Sequence, residues 1–192
     1  MGWKIWSRFQ TPANRKRLLL ALFVTVLSIT SVTCSSDNDE QAFRQVNPGT
    51  RTYSIDDFQS IGYKVVKEYD VEGLTGATGA TYGFLRISGL EPQSYELRFY
   101  ESHDDAVRLG TAFAEEVTGE DAVLTVSDMS WIEGQKEQRR QVDSFGGGGA
   151  SALYGNYAIH SNVVMLCEGR GPEQSLEVCA NLVNALDGQV SD

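Results

Sequence analysis

Near the end of the chain the run Val163-Val164-Met165-Leu166-Cys167 stops at Glu168-Gly169-Arg170-Gly171-Pro172, after which Leu176, Cys179, Val183 and Leu186 recur at three- and four-residue spacing. Five apolar residues in succession, bounded by glycine and proline, read as a buried strand. The recurring set puts one apolar stripe on a helix whose first turn Pro172 can occupy. Such a strand and helix, joined by a short turn, demand a layered helix-on-sheet fold. They also bring two cysteines near each other. A strand-to-helix disulfide between Cys167 and Cys179 suits that geometry, and an oxidising exterior would let it persist. The alternative is a pair of buried thiols packing as small hydrophobes. The spacing is too wide for a redox Cys-x-x-Cys pair, and there is no zinc cluster in the pattern.

Upstream, Ser54 can cap a short helix through Ser60, with Gly62 ending it. Tyr63, Val65, Tyr69 and Val71 share one strand parity, Tyr82–Ile87 reads as a second strand, and Tyr95, Leu97 and Phe99 alternate in a third. Ser102 opens the clearest helix, with Asp104 and Asp105 in its first turn, a stripe through Ala106, Leu109 or Gly110, Phe113 and Val117, and Gly119 as its stop. A short strand is expected at Ala122–Val126, and an irregular or frayed helical segment over Trp131–Asp143. Gly146–Gly149 forms a flexible loop. The hairpin turns at Ser161-Asn162, and the last helix runs from Pro172 to about Leu186. Short turns between neighbouring strands predict an α+β two-layer domain: a mainly antiparallel sheet with two main helices on one face. Strand-helix-strand followed by hairpin and helix hints at a ferredoxin-like unit, elaborated by the interruption at Trp131–Ala150.

The charge is unevenly spread. The net charge of −10 includes five cations before Cys34, namely Lys4, Arg8, Arg15, Lys16 and Arg17, with no acid among them. Taking these five from the 16 basic residues leaves 11 against 26 acids, a net of −15 for the remainder. Such a body repels phosphate backbones, which argues against nucleic-acid binding. The basic start is followed by an apolar run from Leu18 to Val32, the order of a secretion signal. Fifteen helical residues span about 22 Å, short of the roughly 30 Å hydrocarbon core, so retention by one N-terminal transmembrane helix is the weaker alternative. The organisation that follows is a signal peptide over 1–33, a polar tether over 34–52 and a single domain over 53–188.

Leu27-Ser28-Ile29-Thr30-Ser31-Val32-Thr33-Cys34 resembles the end of a bacterial lipoprotein signal, with Ser31 and Thr33 departing from the preferred Leu and Gly or Ala. The resemblance covers only residues 1 to about 40. It implies that Cys34 receives a lipid anchor, becomes the first mature residue, and holds an extracytoplasmic body at the cell envelope through Ser35-Ser36-Asp37-Asn38-Asp39-Glu40. Acyl chains would supply membrane affinity that an acidic body lacks. The body's own motifs name no family.

Candidate chemistry in the body is sparse. Gly73–Gly79 lacks the ending of a phosphate loop, so it reads as a structural turn. His160 is the best titratable candidate, yet a nucleophile, a base and an orienting group must converge before it can work in catalysis. His103 reads as a helix-start residue. The acidic pairs Asp104-Asp105, Glu115-Glu116 and Glu120-Asp121 read as solvated surface. Lys136, Arg139 and Arg140 form a local basic patch suited to an acidic ligand or partner. Trp131, alone in a polar segment, is the aromatic best placed for a recognition surface, and Tyr154, Tyr157 and His160 join it as candidate binding residues on the strands. The leading functional expectation is a non-enzymatic extracytoplasmic lipoprotein that binds a protein partner or small ligand, without metal, cofactor or nucleic acid. The alternatives are an extracytoplasmic hydrolase built on His160 and a structural component of the envelope.

Overall fold

A computed structural model describes residues 43–142 and 149–188. In chain order these form strand β1 (Val46–Asn47), helix α1 (Ile55–Ser60), strands β2 (Lys64–Tyr69), β3 (Ala77–Leu85) and β4 (Gln93–Tyr100), and a helical stretch over 103–117. That stretch is α2 (His103–Asp105), a π-helical turn (Ala106–Gly110) and α3 (Thr111–Val117). Strands β5 (Arg139–Val142), β6 (Gly149–Ala152), β7 (Tyr154–His160) and β8 (Val163–Glu168) follow, then helix α4 (Pro172–Gly188). Six strands make one sheet in the order β1-β7-β8-β4-β3-β2, antiparallel at every contact except the parallel β1–β7 pair, while β5 and β6 form a separate hairpin. The α+β class is as expected, with two substantial helical stretches packed on a mostly antiparallel sheet.

Local chemistry fixes the helix starts. The Asp57 carboxylate accepts from both the Ser54 N–H, at 2.8 Å, and the Ser54 hydroxyl, at 3.0 Å. The Ser102 hydroxyl accepts from the Asp105 N–H at 3.1 Å. Each satisfies orphan donors of a first turn. The hairpin between β7 and β8 turns through Ser161, which takes a positive φ of 51°. Asn162 ties that turn down: its amide donates to the Tyr53 and Tyr100 carbonyls and its oxygen accepts from the Tyr53 N–H.

The two long helical stretches lie on opposite faces, which corrects the expectation of one shared face. Tyr95, Leu97 and Phe99 of β4, with Val163, Met165 and Cys167 of β8, pack against α4 and α1. Val164 and Leu166 point the other way and pack with Ala106, Ala114 and Val117. The apolar run of β8 is therefore buried on both sides, the reason it lacks alternation. β8 sits between β4 and β7, the split strand-helix-strand arrangement behind the ferredoxin-like hint, but the placement of the helices departs from that unit. Cys167 and Cys179 are bonded, with Cα atoms 5.6 Å apart, and pin α4 to the sheet.

The stretch read as tether contributes to the fold at its end. Val46 and Asn47 pair with Ile159 and His160, and Phe43 packs against the core. No strand forms at Ala122–Val126, where a 3₁₀ turn at Val126–Asp128 follows instead. Among the described residues no helix is long and apolar enough to cross a membrane. The apolar run from Leu18 to Val32, on which the alternative of retention by an N-terminal transmembrane helix rests, lies outside those residues. The signal segment 1–33 and Cys34 lie outside the described residues, as does Gly146–Gly148 of the glycine loop.

Candidate functional site

Where β7, β8 and α4 meet, glycine permits close backbone approach. A Cβ on Gly155 would stand 2.6 Å from the Gly171 carbonyl oxygen, and one on Gly169 would stand 2.2 Å from the Ser175 hydroxyl. The start of α4 therefore presses directly on the sheet. Beside this junction opens a cleft of about 660 Å³. Its walls come from the segment after α3 at Gly119–Leu124, from the β5–β6 hairpin, and from Gly169–Pro172. Gly119 adopts a φ of +80° and its N–H donates to the Tyr154 carbonyl at 3.0 Å, bringing the post-helical segment against the sheet.

The charged groups lining the cleft are Arg140, Arg170 and Glu120. Arg140 bonds Glu168 at 3.0 Å, with both side chains roughly a quarter exposed (28% and 27%), so the guanidinium is oriented yet still meets solvent. Arg170 is exposed, and its N–H donates to the Gln174 side chain at 2.9 Å. Two guanidiniums in a concave wall can hold an acidic group by charge-assisted, bidentate hydrogen bonds.

Of the binding residues expected from the sequence, Arg140 alone lines this cleft, joined by Glu120 of the acidic pair read as solvated surface. Arg139 is half-buried on the same hairpin, and Lys136 is exposed on the preceding turn. Trp131 is buried, so it presents no aromatic patch. Its indole N–H donates to the Asp70 carbonyl at 3.2 Å, its ring meets Tyr69 edge-on at 5.4 Å, and the Arg98 guanidinium lies 5.1 Å from the ring centroid. Tyr154 is fully buried. Tyr157 is buried with its hydroxyl 3.2 Å from the Glu115 carboxylate; burial and that carboxylate push its pKa up to about 12.

His160 lies on the opposite side of its strand from Tyr157's neighbour Ile159, with Nε2 3.4 Å from the Tyr53 hydroxyl and the two rings 5.4 Å apart. Burial lowers its pKa, the Asp187 carboxylate opposes that shift, and His103 adds to it. Asp187 is exposed at the end of α4. Among the described residues, the groups acting on His160 are thus the Tyr53 hydroxyl, the solvent-facing Asp187 carboxylate and His103. The His103 Nδ1–H donates to the Ser161 carbonyl oxygen at 2.8 Å, a tie between helix start and hairpin turn. Among the described residues no group of three metal-ligating side chains converges.

The sequence reading missed a buried ion pair. Glu96 and Arg98 both have side chains at 0% exposure and meet at 2.7 Å, and the Gln138 amide donates to Glu96 at 3.0 Å. Gly134 makes room for this contact, since a Cβ there would lie 2.9 Å from the Glu96 carboxylate. Glu96 and Arg98 alternate with Tyr95, Leu97 and Phe99 and therefore share the other face of β4. Trp131 and the turn-rich segment after it cover that face. The signal that could have shown this is Trp131 itself, a large aromatic needing a buried partner.

No curated protein and no solved structure matches the chain. The folded body does have a family, which corrects the sequence reading that named none. Residues 54–188, nearly the whole of the described domain, match the family of unknown function DUF6810, and the chain belongs to it.

Proposed function

We propose that this chain is a non-enzymatic, extracytoplasmic lipoprotein whose domain captures a small ligand bearing an acidic group in the cleft between the β5–β6 hairpin and the start of α4. The carrying observation is the cleft itself. Its volume of about 660 Å³ falls in the range of small-molecule sites, and Arg140 and Arg170 supply positive charge in a body that is otherwise strongly acidic. The Cys167–Cys179 bond supports export, because such bonds persist in oxidising compartments. Cys34 is the proposed site of acylation, and the polar residues after it are the proposed link to the domain.

Native mass spectrometry of the protein purified from cell envelopes tests the ligand. A bound small molecule is expected, and Ala152→Trp, which fills the cleft from its wall, should remove it. An adduct that survives Ala152→Trp and Arg140→Ala would place the ligand elsewhere and refute the reading. Cys34→Ala should release the protein from membranes; unchanged retention would count against acylation.

A further inference from the structure

The Arg140 cleft continues past the start of α4. A second depression of about 560 Å³ adjoins it, and the two share Gly119, Glu120, Gly155 and Pro172 in their walls. Gly119, Gly155 and Pro172 carry no long side chain to divide the space, so the two form one trough. It runs from the β5–β6 hairpin to the end of α3 and the outer side of β7. Its ends carry opposite charge. Arg140 and Arg170 line one end, Glu115 and Asp121 line the other, and Glu120 lines both. Among the described residues the second end has no cation in its lining. There the Tyr157 hydroxyl, 3.2 Å away, holds the Glu115 carboxylate in place.

The floor between the ends is main chain. β1 covers β7 only at Ile159 and His160, which leaves Gly155, Asn156 and Tyr157 to line the second depression. Two outward groups of this stretch are already used: the Tyr154 carbonyl accepts from the Gly119 N–H at 3.0 Å, and the Tyr157 N–H donates to the Asn156 side chain at 2.8 Å. Gly155 between them is different. The β7–β8 register passes from Tyr154–Glu168 to Asn156–Cys167, so Gly155 is a bulge residue without a ladder partner. A glycine lines a cavity with its backbone alone, so a ligand crossing the junction meets a peptide group. Guanidiniums at one end, carboxylates at the other and main chain between them suit a molecule built of the complementary parts. We propose that the trough binds a short peptide with free ends, its C-terminal carboxylate at Arg140 and Arg170, its N-terminal ammonium at the Glu120–Asp121 end and its backbone over Gly155. This inference rests on the reading of the Arg140 cleft as a site for an acidic group, and names that group as a peptide carboxylate.

The test titrates the isotope-labelled full chain with tetra-alanine and follows the amide resonances of Gly119 and Gly155. N-acetyl tetra-alanine lacks the ammonium, and tetra-alanine amide lacks the carboxylate. Tetra-alanine should give saturable shifts, and each blocked form should bind about fivefold more weakly. The double variant Glu120→Gln/Asp121→Asn should weaken tetra-alanine by a similar factor and leave the acetylated form unchanged. Arg170→Gln should weaken both of these and leave the amide unchanged. All three side chains are exposed, so the fold is not at stake in either variant. Equal affinity for tetra-alanine and its acetylated form would overturn the peptide assignment. So would the absence of saturable shifts up to about 10 mM tetra-alanine, ten times a millimolar dissociation constant. The wider reading fails separately: a native mass-spectrometric adduct that Ala152→Trp removes, but whose mass is not that of a peptide, would overturn this inference and leave the acidic-ligand site standing.

Discussion

Removing one member of the Glu96–Arg98 pair should destabilise the domain far more than removing both. The two groups meet at 2.7 Å with no solvent exposure on either side chain, so either alone would be a buried charge without compensation. Breaking such a pair costs about 3–5 kcal/mol. Arg98→Met also forfeits the guanidinium's contact with Trp131, worth about 0.5–2 kcal/mol, while the methionine keeps much of the stem packing. The double variant Glu96→Leu/Arg98→Met leaves no buried charge. It still loses the Trp131 contact and strands the Gln138 amide, for about 1–3 kcal/mol. The sum of the single losses should therefore exceed the double loss by about 3 kcal/mol or more. Urea unfolding at pH 7, followed by far-UV circular dichroism on all four proteins, measures this coupling. Single losses that add to within about 0.5 kcal/mol of the double would show that the pair does not act as one buried unit.

The Cys167–Cys179 bond closes a loop with a sequence separation of 12, for which chain entropy predicts about 3 kcal/mol of stabilisation. Reduction under native conditions should lower the unfolding temperature by roughly 10 °C in calorimetry; an unchanged value would mean that the reduced chain retains the same restriction when unfolded. His160 is held below its ordinary pKa of 6.5, so the unfolded chain takes up its proton first as pH falls. Its contribution is complete above about pH 6.5 and is lost below it. Melting temperatures from pH 7.5 to 5 should fall for the native chain and fall less for His160→Gln; parallel curves would remove His160 as the cause. Gly83→Ala places a Cβ 2.2 Å from the Lys64 carbonyl oxygen and 2.7 Å from the Tyr63 ring, so it should cost about 1–3 kcal/mol in urea titration. A neutral result would show that β2 can move away from β3 without loss.

The local elements were legible because their causes are local. Ser54 and Ser102 cap the helices that follow them, the apolar spacing of Leu176, Cys179, Val183 and Leu186 sets the buried stripe of α4, and Ser161-Asn162 marks the hairpin. The pairing of Cys167 with Cys179 was within reach for the same reason, since strand and helix lie close in the chain. The acidic body and the Arg140 patch also follow from residue identity alone.

What tertiary structure decided is which surface each residue faces and what covers it. Alternation along Tyr95–Phe99 tells that Glu96 and Arg98 share a face, but only the long-range return of Trp131 and Gln138 makes that face an interior. Arg170, Gly155 and Gly169 become one cleft wall because α4 docks across the ends of β7 and β8, contacts that link residues distant in sequence. Periodicity and capping are properties of neighbours in the chain. Burial, and the charge it strands or the space it leaves open, depends on which distant segments pack together.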